Sequence, residues 1–217
     1  MRTFARAAAL ALVTFWGAAA SAQTVSMKFV NGGTHTDGQY YVGNYNGLEN
    51  NAPVTLNCVD FFHEVTNNQV WTANVTGLGS GNLSNTRFGN AGLSNYQKQA
   101  YLTTFYASAN SNNAEVVAIQ HAIWSFYFGA TPSSFPSYIQ TDLTHTAGIT
   151  DAGYWVNLAN TNYGNQAAGF YNQFAVITDV ANPGTQEFLT TTPEPTSIAL
   201  LGTGLFGLVP MVRRRRR

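Results

Sequence analysis

The chain has 217 residues, only 9% of them charged, and its formal net charge of zero hides an asymmetry. Arg2, Arg6 and Arg213 to Arg217 hold seven of the ten basic residues, so the stretch between keeps Lys28, Arg87 and Lys98 against ten acids, a net charge of −7. An acidic domain of this kind excludes nucleic-acid binding through phosphates, and a single cysteine, Cys58, excludes an internal disulfide.

The first segment, residues 1–22, pairs Arg2 and Arg6 with an apolar run from Ala7 to Ala20 and the small residues Ala20-Ser21-Ala22. A basic start, a short apolar core and an A-x-A site define a secretory signal peptide cut after Ala22. The run is too short to span a bilayer comfortably.

Residues 23–190 follow without a low-complexity linker or an internal repeat, and are enough for one domain with a real core. Gln39 to Tyr45, Val54 to Phe62 and Val70 to Val75 are rich in β-branched and aromatic residues and are predicted strands. Leu78 to Ala91 is Gly-, Asn- and Ser-rich and is predicted to be loop. Tyr96, Ala100, Tyr101, Phe105 and Tyr106 fall at helical spacing. The next helix has Asn112 as its cap, Glu115 as capping-box partner, and Gly129 with Pro132 as its stop. Tyr138 to Leu143 and Asp151 to Ala159 are predicted as short helices, and Phe174 to Thr178 and Thr185 to Leu189 as a return to strand. The expected fold is α+β: one domain of mostly antiparallel strands with a helical insertion in the middle.

Residues 193–217 form a tail of distinct character. Pro193-Glu194-Pro195 precedes an apolar stretch from Ser197 to Val212, and the chain then carries Arg213 to Arg217. The stretch lies at the short edge of the roughly 17–25 residues that span a bilayer, and the arginines would stay on the cytoplasmic side. A nucleic-acid patch is the bland reading of the arginines, but no basic cluster elsewhere supports it. In order and spacing the tail resembles the PEP-CTERM sorting signal of Gram-negative bacteria. The resemblance implies that the chain is held transiently in the inner membrane by its C-terminal helix. An exosortase then removes the tail near Pro193-Glu194-Pro195 and passes the protein to the cell surface or an exopolysaccharide matrix.

Two positions of the central domain carry candidate chemistry. A lone cysteine in an exported protein is unusual, and the bland readings of Cys58 are a buried structural thiol, an intermolecular disulfide partner, or an accident of the sequence. Gln120 lies mid-helix, with Val116 and Val117 a turn before it and Ile123 and Trp124 a turn after, all on one apolar face. A buried amide left unpaired costs roughly 1–3 kcal/mol, so Gln120 is either a satisfied core glutamine or is bonded through its amide carbon. The segments Leu56-Asn57-Cys58-Val59-Asp60 and Ile119-Gln120-His121-Ala122-Ile123-Trp124 resemble the two motifs of bacterial thioester domains, found at the tips of Gram-positive surface adhesins. The resemblance implies an internal thioester in which Cys58 supplies the sulfur and Gln120 the acyl group, with ammonia released.

Such a bond is an activated acyl group that an amine or a sugar hydroxyl can attack, and it survives only where water is held off. Ile123, Trp124, Phe61 and Phe62 are candidates for that shelter, and Asp60 shares the strand parity of Cys58. His63 and His121 neighbour the two motifs and are either bases for an incoming nucleophile or hydrogen-bonded residues without a catalytic role. His63-Glu64 has no second histidine at zincin spacing. Nothing in the spacing of His35, Asp37, Asp60 and His63 requires an ion, and no cofactor is expected. A cysteine peptidase lacks any local signature around Cys58. The expected function is therefore a non-enzymatic adhesin that couples covalently to polysaccharide hydroxyls or protein amines of a surface or matrix. The alternative is a non-covalent structural or carbohydrate-interacting matrix protein.

Overall fold

Alternation of side chains explains the sheet. In β1 (Gln23–Asn31) Val25, Met27 and Phe29 are buried while Thr24 and Ser26 are exposed, the period-two pattern of a strand with one wet face. The structure is a computed structural model and describes residues 23–127, 129–181 and 184–192. The signal peptide, the Pro193-Glu194-Pro195 motif and the apolar stretch after it lie outside the described residues.

Six strands close into an antiparallel barrel in the order β1, β4 (Asn44–Glu49), β5 (Ala52–Cys58), β8 (Phe188–Thr191), β7 (Phe174–Asp179), β6 (Val70–Gly77). Closure gives each of these six strands a neighbour on both sides, so the barrel itself has no edge strand. Phe29, Tyr45 and Phe188 meet inside it, with Phe29 edge-on to Tyr45 at 5.7 Å and Tyr45 edge-on to Phe188 at 6.2 Å between ring centroids.

The helical insertion joins β6 to β7. It holds α1 (Leu93–Thr103), α2 (Tyr106–Ala109), α3 (Asn113–Ser125), α4 (Ser137–Thr144) and α5 (Ala152–Asn162). Asn112 caps α3 by accepting from the Glu115 N–H at 3.4 Å, as its sequence position predicts. Every residue from Ala118 to Trp124 is buried, so α3 is the central helix, enclosed by α1, α4, α5 and a small hairpin of β2 (His35–Thr36) and β3 (Tyr41–Val42). Each fully buried aliphatic side chain, Ile119 and Ile123 among them, contributes about 1.5–3 kcal/mol over its exposed state.

The expected fold is present, with five corrections of detail. The sheet begins at β1, ahead of the predicted start at Gln39. The predicted strand Gln39–Tyr45 is broken at Gly43, whose φ of 83° only glycine adopts at little cost, and the break separates β3 from β4. β5 ends at Cys58, so Phe61 and Phe62 belong to the following loop and strand parity does not describe Asp60. α3 ends at Ser125, before the Gly129 stop, and the last strand begins at Phe188, after the predicted Thr185.

Candidate thioester site

Cys58 is the last residue of β5, opposite Phe188 of β8, and Gln120 is in the middle of α3; both are wholly buried. Sheet and helix bring them together across 62 positions of sequence. Gln120 Nε2 donates to the carbonyl oxygen of Cys58 at 2.8 Å. Gln120 Oε1 accepts twice, from the Gly43 N–H at 3.2 Å and from the Tyr106 hydroxyl at 2.8 Å. Two donors on one carbonyl oxygen withdraw charge from the amide carbon, the arrangement that stabilises a tetrahedral oxyanion.

The sulfur is equally confined. Trp124 Nε1 donates to Cys58 Sγ at 3.3 Å, and the thiol faces the carbonyl oxygen of Asp60 at 3.3 Å. The Tyr45 hydroxyl lies beside the same sulfur while donating to the Tyr41 carbonyl at 2.5 Å. Burial pushes the Cys58 thiol up to about 12, with the Trp124 hydrogen bond opposing and the Asp60 charge reinforcing the shift. The sulfur thus rests as a neutral thiol, and burial likewise holds Tyr106 and Tyr45 in their neutral, donating forms.

Gly43 owes its role to the break it causes. A Cβ there would meet Val116 Cγ1 at 2.9 Å, so only glycine lets the hairpin backbone approach α3 closely enough for its N–H to reach Gln120. Tyr106 reaches the same oxygen from α2, one turn and a loop before α3.

The other sequence candidates divide. Trp124 touches the sulfur, and Phe61 packs edge-on against Trp124 with ring centroids 5.0 Å apart. Ile123 is buried, but its carbonyl is taken by Gln99 Nε2 at 3.1 Å. Phe62 is 41% exposed and leans on Tyr127 and Phe135, away from the role of a cover. His121 stacks on Trp124 with both ring nitrogens committed to carboxylates, Nδ1 to Asp142 at 2.5 Å and Nε2 to Asp37 at 3.3 Å. Asp37 also takes the Tyr138 hydroxyl at 3.0 Å, so this cluster fastens the β2–β3 hairpin to α3 and α4. Desolvation would raise Asp37, but bonds from the Tyr40 and Gln39 N–H groups, His121 and Tyr138 outweigh it and hold its carboxyl below the usual range.

His63 belongs to a second network. Its Nδ1 lies 2.8 Å from the fully buried Asp60 carboxylate, and Arg87 Nη1 meets both groups. Arg87 also donates its backbone N–H to Glu187 at 3.0 Å and its Nη2 to the Thr185 carbonyl at 2.9 Å. Glu187 accepts from Tyr96 and Thr178, each at 2.6 Å, yet burial still pushes it up. His35 bonds Asn110 and Asn113, apart from both networks. Sequence reasoning missed Gly43, Tyr106, Tyr45 and Arg87. The one available signal was a glycine inside a predicted strand, which marks a break or a close backbone approach.

The chain matches the PEP-CTERM protein-sorting motif over residues 191–217. That motif marks an exported protein whose C-terminal tail transits the membrane and is processed by an exosortase, and Pro193, Glu194 and Pro195 fall within it. Comparison with curated proteins and with solved structures returns no match. The comparisons therefore carry the sorting tail and lend nothing to the thioester-domain resemblance.

Proposed function

We propose that this exported protein, cut after Ala22 and near Pro193-Glu194-Pro195, is a non-enzymatic adhesin of the cell surface or extracellular matrix. Its internal thioester joins Cys58 to Gln120. The closure balances without a co-reactant: Cys58 Sγ bonds to Gln120 Cδ, the C–N bond breaks, and the amide nitrogen leaves as ammonia with the thiol proton. The product acylates an amine or hydroxyl once, giving an amide or ester and a free thiol.

The observation that carries this reading is the double donation to Gln120 Oε1 from Gly43 and Tyr106, beside a sulfur that Trp124 holds. A glutamine that merely fills the core needs its polar atoms paired, and this one has them paired. Here the pairing also places both donors where an oxyanion would form and ties the amide nitrogen to the residue that bears the nucleophile. Enclosure by Trp124 and Phe61 supports survival of the bond against water. Lys28 and Lys98 are the only lysines, and Lys98 sits over the Phe126 and Tyr163 rings at 5.1 Å, which favours coupling to a partner over self-reaction.

The intact mass of the exported protein tests this against that of its Cys58→Ala variant. A native mass short by one ammonia, and full in the variant, is the expected result. A full mass with a titratable thiol in fresh protein would leave a sorted, non-covalent matrix protein with Gln120 as an ordinary core residue.

A further inference from the structure

A cleft of about 230 Å³ opens beside the site, and Trp124 and Tyr45, the two side chains that flank the Cys58 sulfur, are among its lining. Three other aromatic residues lining it show unusual exposure: Tyr40 at 38%, Tyr41 at 51% and Phe62 at 41%. Folded chains seldom leave aromatic surface clustered around a concavity without a use for it. The geometry points to this cleft as a docking site for a neutral pyranose ring of a polysaccharide, held with a hydroxyl toward the Cys58–Gln120 bond.

A pyranose ring presents flat C–H faces that pack on aromatic rings and an edge of hydroxyls that need donors and acceptors. The cleft supplies both. Its polar lining includes Gln39, His63, Glu64 and Gln186. Gln186 uses Nε2 on the Asp60 carbonyl at 3.0 Å, and among the described residues neither its Oε1 nor the Gln39 side-chain amide has a hydrogen-bond partner. At about 230 Å³ the space falls below the roughly 300–1,000 Å³ of pockets for drug-sized ligands, so it suits a single ring.

An alkylammonium ion fits less well. The rings would attract a cation as well, but a buried charge also needs carboxylate partners, and Asp37 is spent on His121 and Tyr138, and Asp60 on Arg87 and His63. Glu64 alone remains in the lining. His63 also lines the cleft: its Nδ1 is held between the Asp60 carboxylate and the Arg87 guanidinium, and a sugar hydroxyl, which both donates and accepts, pairs with its Nε2 in either tautomer.

The covalent step rests on the thioester reading. The sugar oxygen bonds to Gln120 Cδ, the C–S bond breaks, an ester forms, and the hydroxyl proton passes to the sulfur to give the Cys58 thiol. Docking itself does not require the thioester, and the two are read separately.

Trp124 fluorescence of the exported protein is titrated with cellotetraose, maltotetraose, chitotetraose and dextran, with putrescine in parallel, and intact mass is taken on the same sample. A saturable response to at least one saccharide is expected, weakened tenfold or more in both Tyr40→Ala and Phe62→Ala. Those positions are exposed, and an unchanged circular-dichroism melting curve would certify each variant's fold. No saturable response to any saccharide, a response to putrescine alone, or full affinity in both variants would overturn the docking site. A response without the ammonia mass deficit would uphold docking while removing the thioester; a deficit without a response would do the reverse.

Discussion

Gln120 Nε2 donates to the carbonyl oxygen of Cys58 at 2.8 Å, so the amide on which the proposed thioester would form is tethered to the backbone of the residue that bears the thiol. This bond fixes the amide plane, and the donors from Gly43 and Tyr106 then fall on the oxygen at its other end. Proximity of this kind replaces a bimolecular encounter by a held geometry, which accounts for much of the barrier lowering in intramolecular acyl transfer.

Tyr106→Phe removes one of the two donors and little else, since the ring still fills its buried place in α2. Loss of one oxyanion donor costs on the order of 10²–10³ in rate where measured. The fraction of protein showing the ammonia deficit should therefore rise more slowly after refolding, by a factor in that range. Melting should shift by only the roughly 0.5–1.5 kcal/mol of one hydrogen bond. Closure at the native rate would remove Tyr106 from the site.

Arg87→Met should be far more damaging to stability than its surface-like residue type suggests. Its partner Asp60 has no solvent exposure, and removing one member of a buried pair typically costs about 3–5 kcal/mol. Urea denaturation should show that loss, and Asp60→Asn in the same chain should recover part of it. If Arg87→Met is no less stable than the native protein, the network is not what fastens the Asp60 loop to Thr185 and Glu187.

The sheet and the α3 helix were legible because apolar period and capping chemistry are local. β-branched residues, Val54 and Thr55 in β5 and Val70, Thr72, Val75 and Thr76 in β6, mark the strands, and Asn112 with Glu115 marks the start of α3. Cys58 and Gln120 were paired only through the resemblance, and the 2.8 Å hydrogen bond between them shows their adjacency alone. Their shared surroundings were not legible, because Gly43, Tyr45 and Tyr106 reach them from β3–β4 and α2 through tertiary packing that no local pattern encodes. Arg87 hid for the opposite reason: in a Gly- and Asn-rich loop a lone arginine reads as solvated, yet here it neutralises buried Asp60. His63 and His121 sit beside the motifs in sequence, but carboxylates claim their rings.

Alkaline pH should separate the closed and opened forms. The folded Cys58 thiol is raised from 9.0 to about 12, so its neutral form favours folding fully below pH 9.0. That contribution is lost as pH climbs from there toward about 12, at up to about 1.4 kcal/mol per pH unit. Protein opened with methylamine carries this thiol, and the closed thioester does not. Denaturation midpoints of the opened form should fall more steeply across that window than those of its Cys58→Ala counterpart. Parallel curves would show that the thiol is not buried as described.

Acid should act through other groups. Asp37 and Asp179 are both held below their usual 3.8, against the opposing effect of burial, by hydrogen bonds from backbone and side-chain donors. A depressed carboxyl stabilises the fold above its unfolded value and loses that contribution as pH falls below about 3.8. Asp37→Asn should flatten the acid limb of a stability–pH curve. It should also loosen the hairpin that presents Gly43, so the ammonia deficit should appear more slowly. An unaltered acid limb would place the acid sensitivity elsewhere.

Gly43→Ala joins backbone strain to a lost donor. The residue has φ of 83°, where an L side chain costs about 1–2 kcal/mol, and its new Cβ would lie 2.9 Å from Val116 Cγ1. Relief requires the hairpin to move off α3, which lengthens the 3.2 Å bond to Gln120 Oε1. The variant should therefore lose at least that much stability and close its thioester more slowly than native protein. Gly43→Ala/Val116→Ala should restore stability in part by removing the clashing methyl, while the φ penalty persists. If the single variant matches native protein in both melting and mass deficit, the Gly43 N–H is not part of the site. Recovery of stability in the double variant without recovery of closure would show that the position of this N–H, rather than the packing around it, sets the rate.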